Sequence, residues 1–581
     1  MQLPFLDWLI IGLFLAFSFA IGLVFSKRAS GSIDDYFVSG RSLPWWLAGV
    51  SMVATAFAID TPLGITGLVA ARGIQGVWYA WSAILGGAGV FGAFIFAALL
   101  RRSRIITLAE LVELRYSGTG ARYLRGFKAV YIGIIANAIT LGWVIKAVYT
   151  VCQAVVPDWD PNVVLGLILI FTLFYTTLSG MWGIAATDSI QFLISTVGSV
   201  LLATYALNYV GGIEGILEGF ARRYGAQEAS ARLSFFAQPG TDFFVTFVVF
   251  MTLKWWGDTP GAITQRILAS KDEKHASVAT AFFATVHFAL NYWPMILVAL
   301  VSLVVYPGLD NAEQGYPMLV VKLLPSGLLG LMLAAMGAAF MSTVDTHINM
   351  GASYMVKDIY QRFIKKEGTK EHYVKAARAS TVGMLLVAVI ISVHLESVKA
   401  AWYILSLLFS GYGLVTVARW FWWRVNAWSE ISALLGSFTF SMIARLFLAP
   451  RVAWFEAFGP KFLVAFLGST AVWVAVTLLT KPSEEEHLVR FCRMAKPFPL
   501  LWGPIRRKHP DIEWSPHLKL ALFHFLVGAV MMYSLCFGTG YLLFGRHLLA
   551  YGLLVAAAAS GLTIRLTWRY HTSSDTPPRR F

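Results

Sequence analysis

Hydrophobic runs of membrane-spanning length follow one another along the whole chain, at approximately 6–26, 44–70, 75–100, 123–156, 161–180, 183–209, 241–268, 276–306, 326–357, 376–394, 398–423, 428–449, 458–480, 518–543 and 547–568. A spanning helix needs roughly 20 mostly apolar residues, so the pattern predicts an all-α polytopic membrane protein of about fifteen transmembrane helices. Two polar stretches stand apart. Ile213 to Tyr224 reads as a short amphipathic helix on the outer surface. Lys481 to Pro516, mixing charges, prolines and aromatics, reads as a cytoplasmic linker, and its run Glu484-Glu485-Glu486 as a solvated face.

Within the apolar pattern, two runs are interrupted in the same way. The first contains Ala58-Ile59-Asp60-Thr61-Pro62-Leu63-Gly64 and the second Gly257-Asp258-Thr259-Pro260-Gly261. Proline removes a helix hydrogen bond and glycine lets the backbone leave helical geometry. Each helix is therefore expected to break near the membrane centre. Broken helices at that depth survive only where they line a cavity or are buried in protein, and a corresponding pair of them points to a transport site.

A third run, Leu328 to Tyr360, carries Ser342, Thr343, Asp345, Thr346, His347 and Asn349 in its middle. An aspartate in a bilayer costs roughly 3 kcal/mol on insertion scales, so such a cluster marks an ion or substrate path. At 3.6 residues per turn Ser342, Asp345, Thr346 and Asn349 share one face. Polar glue between packed helices accounts for the hydroxyls but poorly for the carboxylate.

Composition narrows the class. The chain is 57% hydrophobic and 13% charged, with 42 Phe, 21 Trp and 22 Tyr, which excludes a soluble globular protein. The first run, Leu6 to Ser26, has no basic region before it and no small-residue cleavage site after it, and reads as a spanning helix rather than a signal peptide. The net charge of +15 gathers in alternate loops: Lys27 to Arg41, Arg101 to Lys128, Arg266 to Lys274, Lys357 to Arg378 and Lys481 to Lys519. This is the positive-inside bias, not a nucleic-acid footprint. It places the N-terminus outside and the C-terminus inside. Cys152, Cys492 and Cys536 show no metal-ligand spacing and read as unpaired.

Several motifs together resemble the sodium/solute symporter family, which includes sodium–proline, sodium–sugar and sodium–sialic acid cotransporters. They are Tyr36-Phe37-Val38-Ser39-Gly40-Arg41-Ser42-Leu43-Pro44, Leu108 to Tyr116, Ser179-Gly180-Met181-Trp182-Gly183 leading to Thr187-Asp188-Ser189-Ile190-Gln191, Gln265-Arg266-Ile267-Leu268-Ala269-Ser270-Lys271, and Met341-Ser342-Thr343 through Lys357-Asp358-Ile359-Tyr360. The resemblance covers roughly residues 1–425. It implies a LeuT-type fold of inverted five-helix repeats: an extra N-terminal helix and loop at 1–43, repeat one at 44–209, an extracellular loop at 210–240, repeat two at 241–425, and appended helices at 426–581 with a cytoplasmic linker at about 481–517.

The resemblance further implies a sodium-coupled secondary active symporter that imports a small organic solute by alternating access. It would sit in a cell membrane, plasma or inner, with the bilayer as its surroundings and no obligate protein partner. A Na+ site would use the carbonyls of Ala54, Phe57 and Ala339 with the hydroxyls of Ser342 and Thr343, a compact oxygen cage of low charge suited to Na+. Asp188 would lie near the sodium exit path. A second cation or proton site would combine Asp188, Ser342, Asp345 and Thr346. Asp345 departs from the family's hydroxyl there, and two close carboxylates either bind a second cation or share a proton. Ala56 stands where the sodium–proline branch has an aspartate, and Ala80 where sugar transporters have a glutamate.

The solute pocket is expected between the two breaks, from Asp60, Thr61, Tyr79, Trp81, Thr252, Trp255, Trp256 and Asp258. Lys254 could pair with Asp258 four residues on, and Asp60 could pair with Lys254 or meet a substrate amine. Lys146 is a further intramembrane cation, expected to snorkel. Three other readings compete. One is a proton-coupled transporter of the same fold. An intramembrane enzyme has only His347 beside Asp345 in its favour. A transport-like sensor would need a larger signalling domain than the tail from Arg569 offers.

Overall fold

The computed structural model describes residues 3–26, 39–105, 108–176, 181–258 and 261–568. The side chains of Ser342, Asp345 and Asn349, and residues Thr259, Pro260 and those past Trp568, lie outside this set. The described chain is helical throughout, with two isolated β-bridges and no strand.

The principal helices are α1 (Phe5–Ser26), α2 (Trp45–Ala56), α3 (Asp60–Arg72), α4 (Leu108–Arg115), α5 (Gly118–Val155), α6 (Pro161–Thr176), α7 (Met181–Val210), α8 (Gly212–Tyr224), α9 (Phe244–Thr252), α10 (Gly261–Ala269), α11 (Glu273–Val305), α12 (Leu328–Ile364), α13 (Lys370–His394), α14 (Val398–Leu408), α15 (Tyr412–Phe421), α16 (Ala427–Leu448), α17 (Phe458–Leu479), α18 (Glu485–Ala495), α19 (Leu518–Leu543) and α20 (His547–Thr567). Every apolar run contains helix. Among the described residues eight helices are long and apolar enough to cross a membrane alone, or ten when two bent pairs are each taken as one span.

Proline sets the first break. Pro62 has no N–H for the Ala58 carbonyl, and its ring clashes there, so the disruption falls one turn upstream of the proline. α2 accordingly stops at Ala56 and α3 starts at Asp60, bent by 56°. Pro62 itself sits in the first turn of α3, where its missing N–H costs nothing. At the second break α9 ends at Thr252 and the chain is non-helical through Asp258.

Two runs expected as single spans are interrupted to receive that unwound segment. Residues 73–102 alternate short helical pieces around Gly86, Gly87 and Gly89, and a Cβ on Gly87 would lie 1.6 Å from the Asp258 carbonyl oxygen. The run 398–423 divides into α14 and α15, and a Cβ on Gly413 would lie 1.9 Å from the Trp256 oxygen. Only glycine allows backbone to approach backbone this closely. The pair α13–α14 is also bent, by 112°, at Leu395–Ser397.

On the side where the basic loops gather, the two broken helices are stitched together. Leu43, just before α2, pairs with Ser270, just after α10: the Leu43 N–H donates to the Ala269 oxygen (3.1 Å) and the Lys271 N–H to the Leu43 oxygen (2.8 Å). Arg101 Nε adds a bond to the Ser270 oxygen at 2.6 Å.

The stretch expected as a linker is instead a folded cap. α18 and the short helix Gly503–Lys508 bury Phe491, Cys492 and Trp502 completely. The Leu501 N–H donates to the Phe421 oxygen (3.0 Å), and Arg115 of α4 lies over the rings of Phe491 and Trp502. The linker's hydrophobic residues are spaced to cover the core rather than to stay in water, a pattern its charge content masks. The predicted amphipathic helix is α8, followed by a further helix at Ala226–Leu233. α19 and α20 pack on each other, and Gly540 of α19 meets the Trp293 ring of α11.

Candidate cation and solute site at the broken helices

The break after α2 leaves polar backbone exposed inside the protein. The Phe57 N–H closes the last helical bond to the Val53 oxygen (2.8 Å). Among the described residues, the carbonyls of Ala54, Thr55 and Phe57 receive no backbone hydrogen bond, whereas that of Ala56 accepts one from Thr61 Oγ1 at 2.9 Å. α2 packs against α7, α10, α11 and α12. On α12, Thr343 Oγ1 donates to the Ala339 oxygen at 2.8 Å, and both residues are buried. One turn on, Thr346 Oγ1 is buried without a hydrogen-bond partner. An orphaned hydroxyl in a dry interior costs free energy unless something else completes it.

Asp188 of α7 is fully buried. It accepts a hydrogen bond from Ser51 Oγ (2.6 Å), and Arg266 Nη2 of α10 lies 3.6 Å from the same oxygen. Arg266 also donates to Thr55 Oγ1 at 2.9 Å and to Ser51 Oγ at 3.3 Å. The carboxylate expected at a second cation site thus already faces a buried guanidinium. Burying the two together avoids the larger cost of burying either alone. Sequence reasoning passed over Arg266 as part of a motif, although an arginine inside an apolar helix is itself a functional signal.

At the second break, Asp258 is held by α15. Arg419 pairs with its carboxylate, Trp420 Nε1 donates to it at 3.3 Å, and the Asp258 N–H donates to Thr416 Oγ1 at 3.2 Å. Arg419 in turn lies 3.1 Å from Glu430, which also pairs with Lys128 at 2.8 Å and accepts from Tyr116 at 2.6 Å. Lys254 does not pair with Asp258 or with Asp60. Its Nζ donates to the Tyr79 oxygen (2.9 Å) and lies 3.9 Å from the Tyr79 ring centroid. Spacing of four aligns two side chains only within a helix, and α9 has ended at Thr252.

The expected pocket residues do not form one cluster. Asp60 and Tyr79 meet at one place, together with Trp402 and Trp143, which the sequence reading did not single out. Tyr79 stacks on Trp402 (5.7 Å, 7°) and donates to its backbone oxygen at 2.8 Å. Trp402 and Trp143 lie beside the Asp60 carboxylate. Trp255 and Trp256 stack on each other at 4.4 Å and turn their edges to Phe91. Trp81 lies apart, packed on Trp293 and Phe537. The hydroxyls of Thr61 and Thr252 are spent on the backbone oxygens of Ala56 and Val248. With 21 tryptophans in the chain, no sequence signal separates Trp402 and Trp143 from the rest.

Comparison with known proteins agrees with this architecture. A model described as the sodium:solute symporter family matches residues 36–438. The chain is similar to the sodium/glucose cotransporter of Vibrio parahaemolyticus, 24% identical over 484 residues that cover 76% of this chain and 86% of that protein. It is also similar to sodium/glucose cotransporter 1 of Oryctolagus cuniculus, 26% identical over 536 residues, 81% of this chain and 78% of that one. Among solved structures, a substrate-bound, outward-open Na+-coupled sialic acid symporter aligns with a TM-score of 0.63 at 22% identity. That alignment covers 83% of this chain and 99% of that one, and establishes a shared fold. The family match spans well over half the sequence, so the chain belongs to the sodium:solute symporter family and is a membrane transporter, not an enzyme.

Proposed function

We propose that this protein imports a small organic solute together with Na+ by alternating access. The observation that carries the proposal is the break at Phe57–Ile59, which leaves the Ala54 and Phe57 carbonyls without backbone partners on a helix packed against α12. Carbonyls, with hydroxyls from Ser342 and Thr343 and the Ala339 oxygen, make a neutral cage suited to a monovalent cation. The cation would fix α2 against α12 and complete the solute pocket beside the first break. Solute and Na+ then raise each other's affinity reciprocally, typically by 1–3 kcal/mol.

In this reading, residues 44–209 and 241–425 are the inverted repeats of a LeuT-type fold within about fifteen spans, N-terminus outside and C-terminus inside a plasma or inner membrane. The orphaned Thr346 hydroxyl supports a second cation site with Ser342 and Asp345. Asp188 serves that site only when Arg266 yields it, and Na+ leaves inward past this pair.

The test is thermal unfolding of the purified protein across a Na+ titration at constant ionic strength, K+ replacing Na+. A saturable stabilisation of about 2.7 kcal/mol is expected at a hundredfold excess over Kd, lost in Ser342→Ala/Thr343→Ala. An unchanged titration in the double variant removes the site assignment. A flat titration in the wild type moves proton coupling through Asp345 and Asp188 to the front.

A further inference from the structure

Asp60 is 5% exposed and opens α3 at the first break. Among the described residues no lysine, arginine or histidine forms an ion pair with it. Lys254, the cation nearest in the sequence argument, is engaged by Tyr79. Indoles beside a carboxylate carry no net charge and do not neutralise it. The N-terminal dipole of α3 offsets only about half a charge. A buried charge left in this condition is costly, and in a membrane transporter it marks the substrate path.

The surroundings say what kind of cation fits. A bare metal ion needs several oxygen ligands. Here Thr61 Oγ1 is already bonded to the Ala56 oxygen, and Trp402 and Trp143 lie beside the carboxylate. A ring face beside a single carboxylate suits an organic ammonium, which is attracted to both the π-face and the charge. Trp402 occupies the approach. Gly64 lies one turn below Asp60 on the same face of α3, and a Cβ there would come within 2.3 Å of the Trp402 ring. Trp402 belongs to α14, which is joined to α13 through the 112° bend. Its first turn is held by Glu313, which accepts from the N–H groups of Val398 and Lys399 at 2.9 Å each.

We infer that Asp60 is the recognition carboxylate for a solute carrying a positively charged nitrogen, and that Trp402 on α14 is the neutral group this nitrogen displaces. The inference rests on the symport reading above. It narrows the solute to free organic ammoniums and the ammonium end of zwitterions.

The experiment measures thermal stabilisation of the full chain, with and without Na+, by 2-phenylethylamine, choline and the zwitterion L-alanine. Glucose serves as the neutral control and pyruvate as the anionic one. At least one charged-nitrogen probe is expected to give a saturable shift that strengthens with Na+. Its apparent affinity should fall by about 30-fold or more in Asp60→Asn and partly recover in Asp60→Glu. A cooperative melting transition without probe or Na+ reports that Asp60→Asn is folded. Four results overturn the inference: only glucose or pyruvate responds; no probe responds although Na+ does; the probe response survives Asp60→Asn unchanged; or Asp60→Asn abolishes the Na+ shift itself, making Asp60 a Na+ ligand. If Na+ has no effect on the wild type, the symport reading fails separately, and the response of the charged-nitrogen probes to Asp60→Asn still decides the inference.

Discussion

Single atoms decide the geometry of the second break. The missing Cβ of Gly87 is what lets the unwound segment pass, since that atom would sit 1.6 Å from the Asp258 oxygen. Neither neighbour is a flexible side chain, so the clash has no soft outlet. Gly87→Ala is expected to lower stability by at least 1–3 kcal/mol, the usual cost of overpacking, and to abolish solute uptake. Gly337→Ala in α12, with open space at its Cβ, should leave both near wild type. Thermal unfolding and uptake assays on the two variants make the comparison. Asp188 and Arg266 form the other residue-scale constraint. Removing one partner of such a buried pair costs about 3–5 kcal/mol, so Asp188→Asn should melt far earlier than wild type in the same unfolding assay.

Helices in this protein are defined as much by where they stop as by where they run. Pro62 stops α2 by acting on Ala58, and Pro62→Ala restores the N–H that would let α2 and α3 fuse. That variant is expected to fold at least as stably as wild type while losing most of its Na+-induced stabilisation, because the Ala54 and Phe57 carbonyls become helical acceptors. An intact Na+ response in Pro62→Ala would falsify the carbonyl cage. Such breaks are legible in sequence because proline and glycine act locally and by known rules. Partners across a break are not. Lys254 and Asp258 are spaced for a helical pair, yet α9 ends at Thr252, before either of them, and each finds a different helix. Arg419, Glu430 and Lys128 went unnoticed for another reason: they lie near the ends of apolar runs, where charges are expected to be solvated, whereas here they are buried together. Ser342, Thr343 and Thr346 stood out in the sequence because they share a mid-membrane helix with Asp345, a carboxylate that helix packing explains poorly.

For the whole molecule, the main departure from the sequence pattern is the cap at residues 485–508, which turns an apparent linker into part of the core. Cys492 reports on it. The side chain is fully buried in α18, and burial pushes its thiol up to about 12 despite the nearby Arg115. A folded-state value above the ordinary one keeps the thiol protonated, so it is unreactive at pH 8 and stays so as pH rises to 10. Maleimide labelling of native protein should therefore spare Cys492, and Trp502→Ala, which removes the ring stacked on the adjoining Phe491 and loosens the cap, should expose it. Rapid labelling in the wild type would mean that the cap is undocked in solution.

The backbone bridge between Leu43 and Ser270 has a mechanical consequence. Two ends that lie far apart in sequence, the start of one broken helix and the finish of the other, are fastened by paired backbone bonds and by Arg101. Levers joined at one end cannot part there without shearing that joint. In the alternating-access cycle proposed above, the two broken helices are therefore expected to pivot as a single arm, with the seam on this side running between that arm and its neighbours rather than through it.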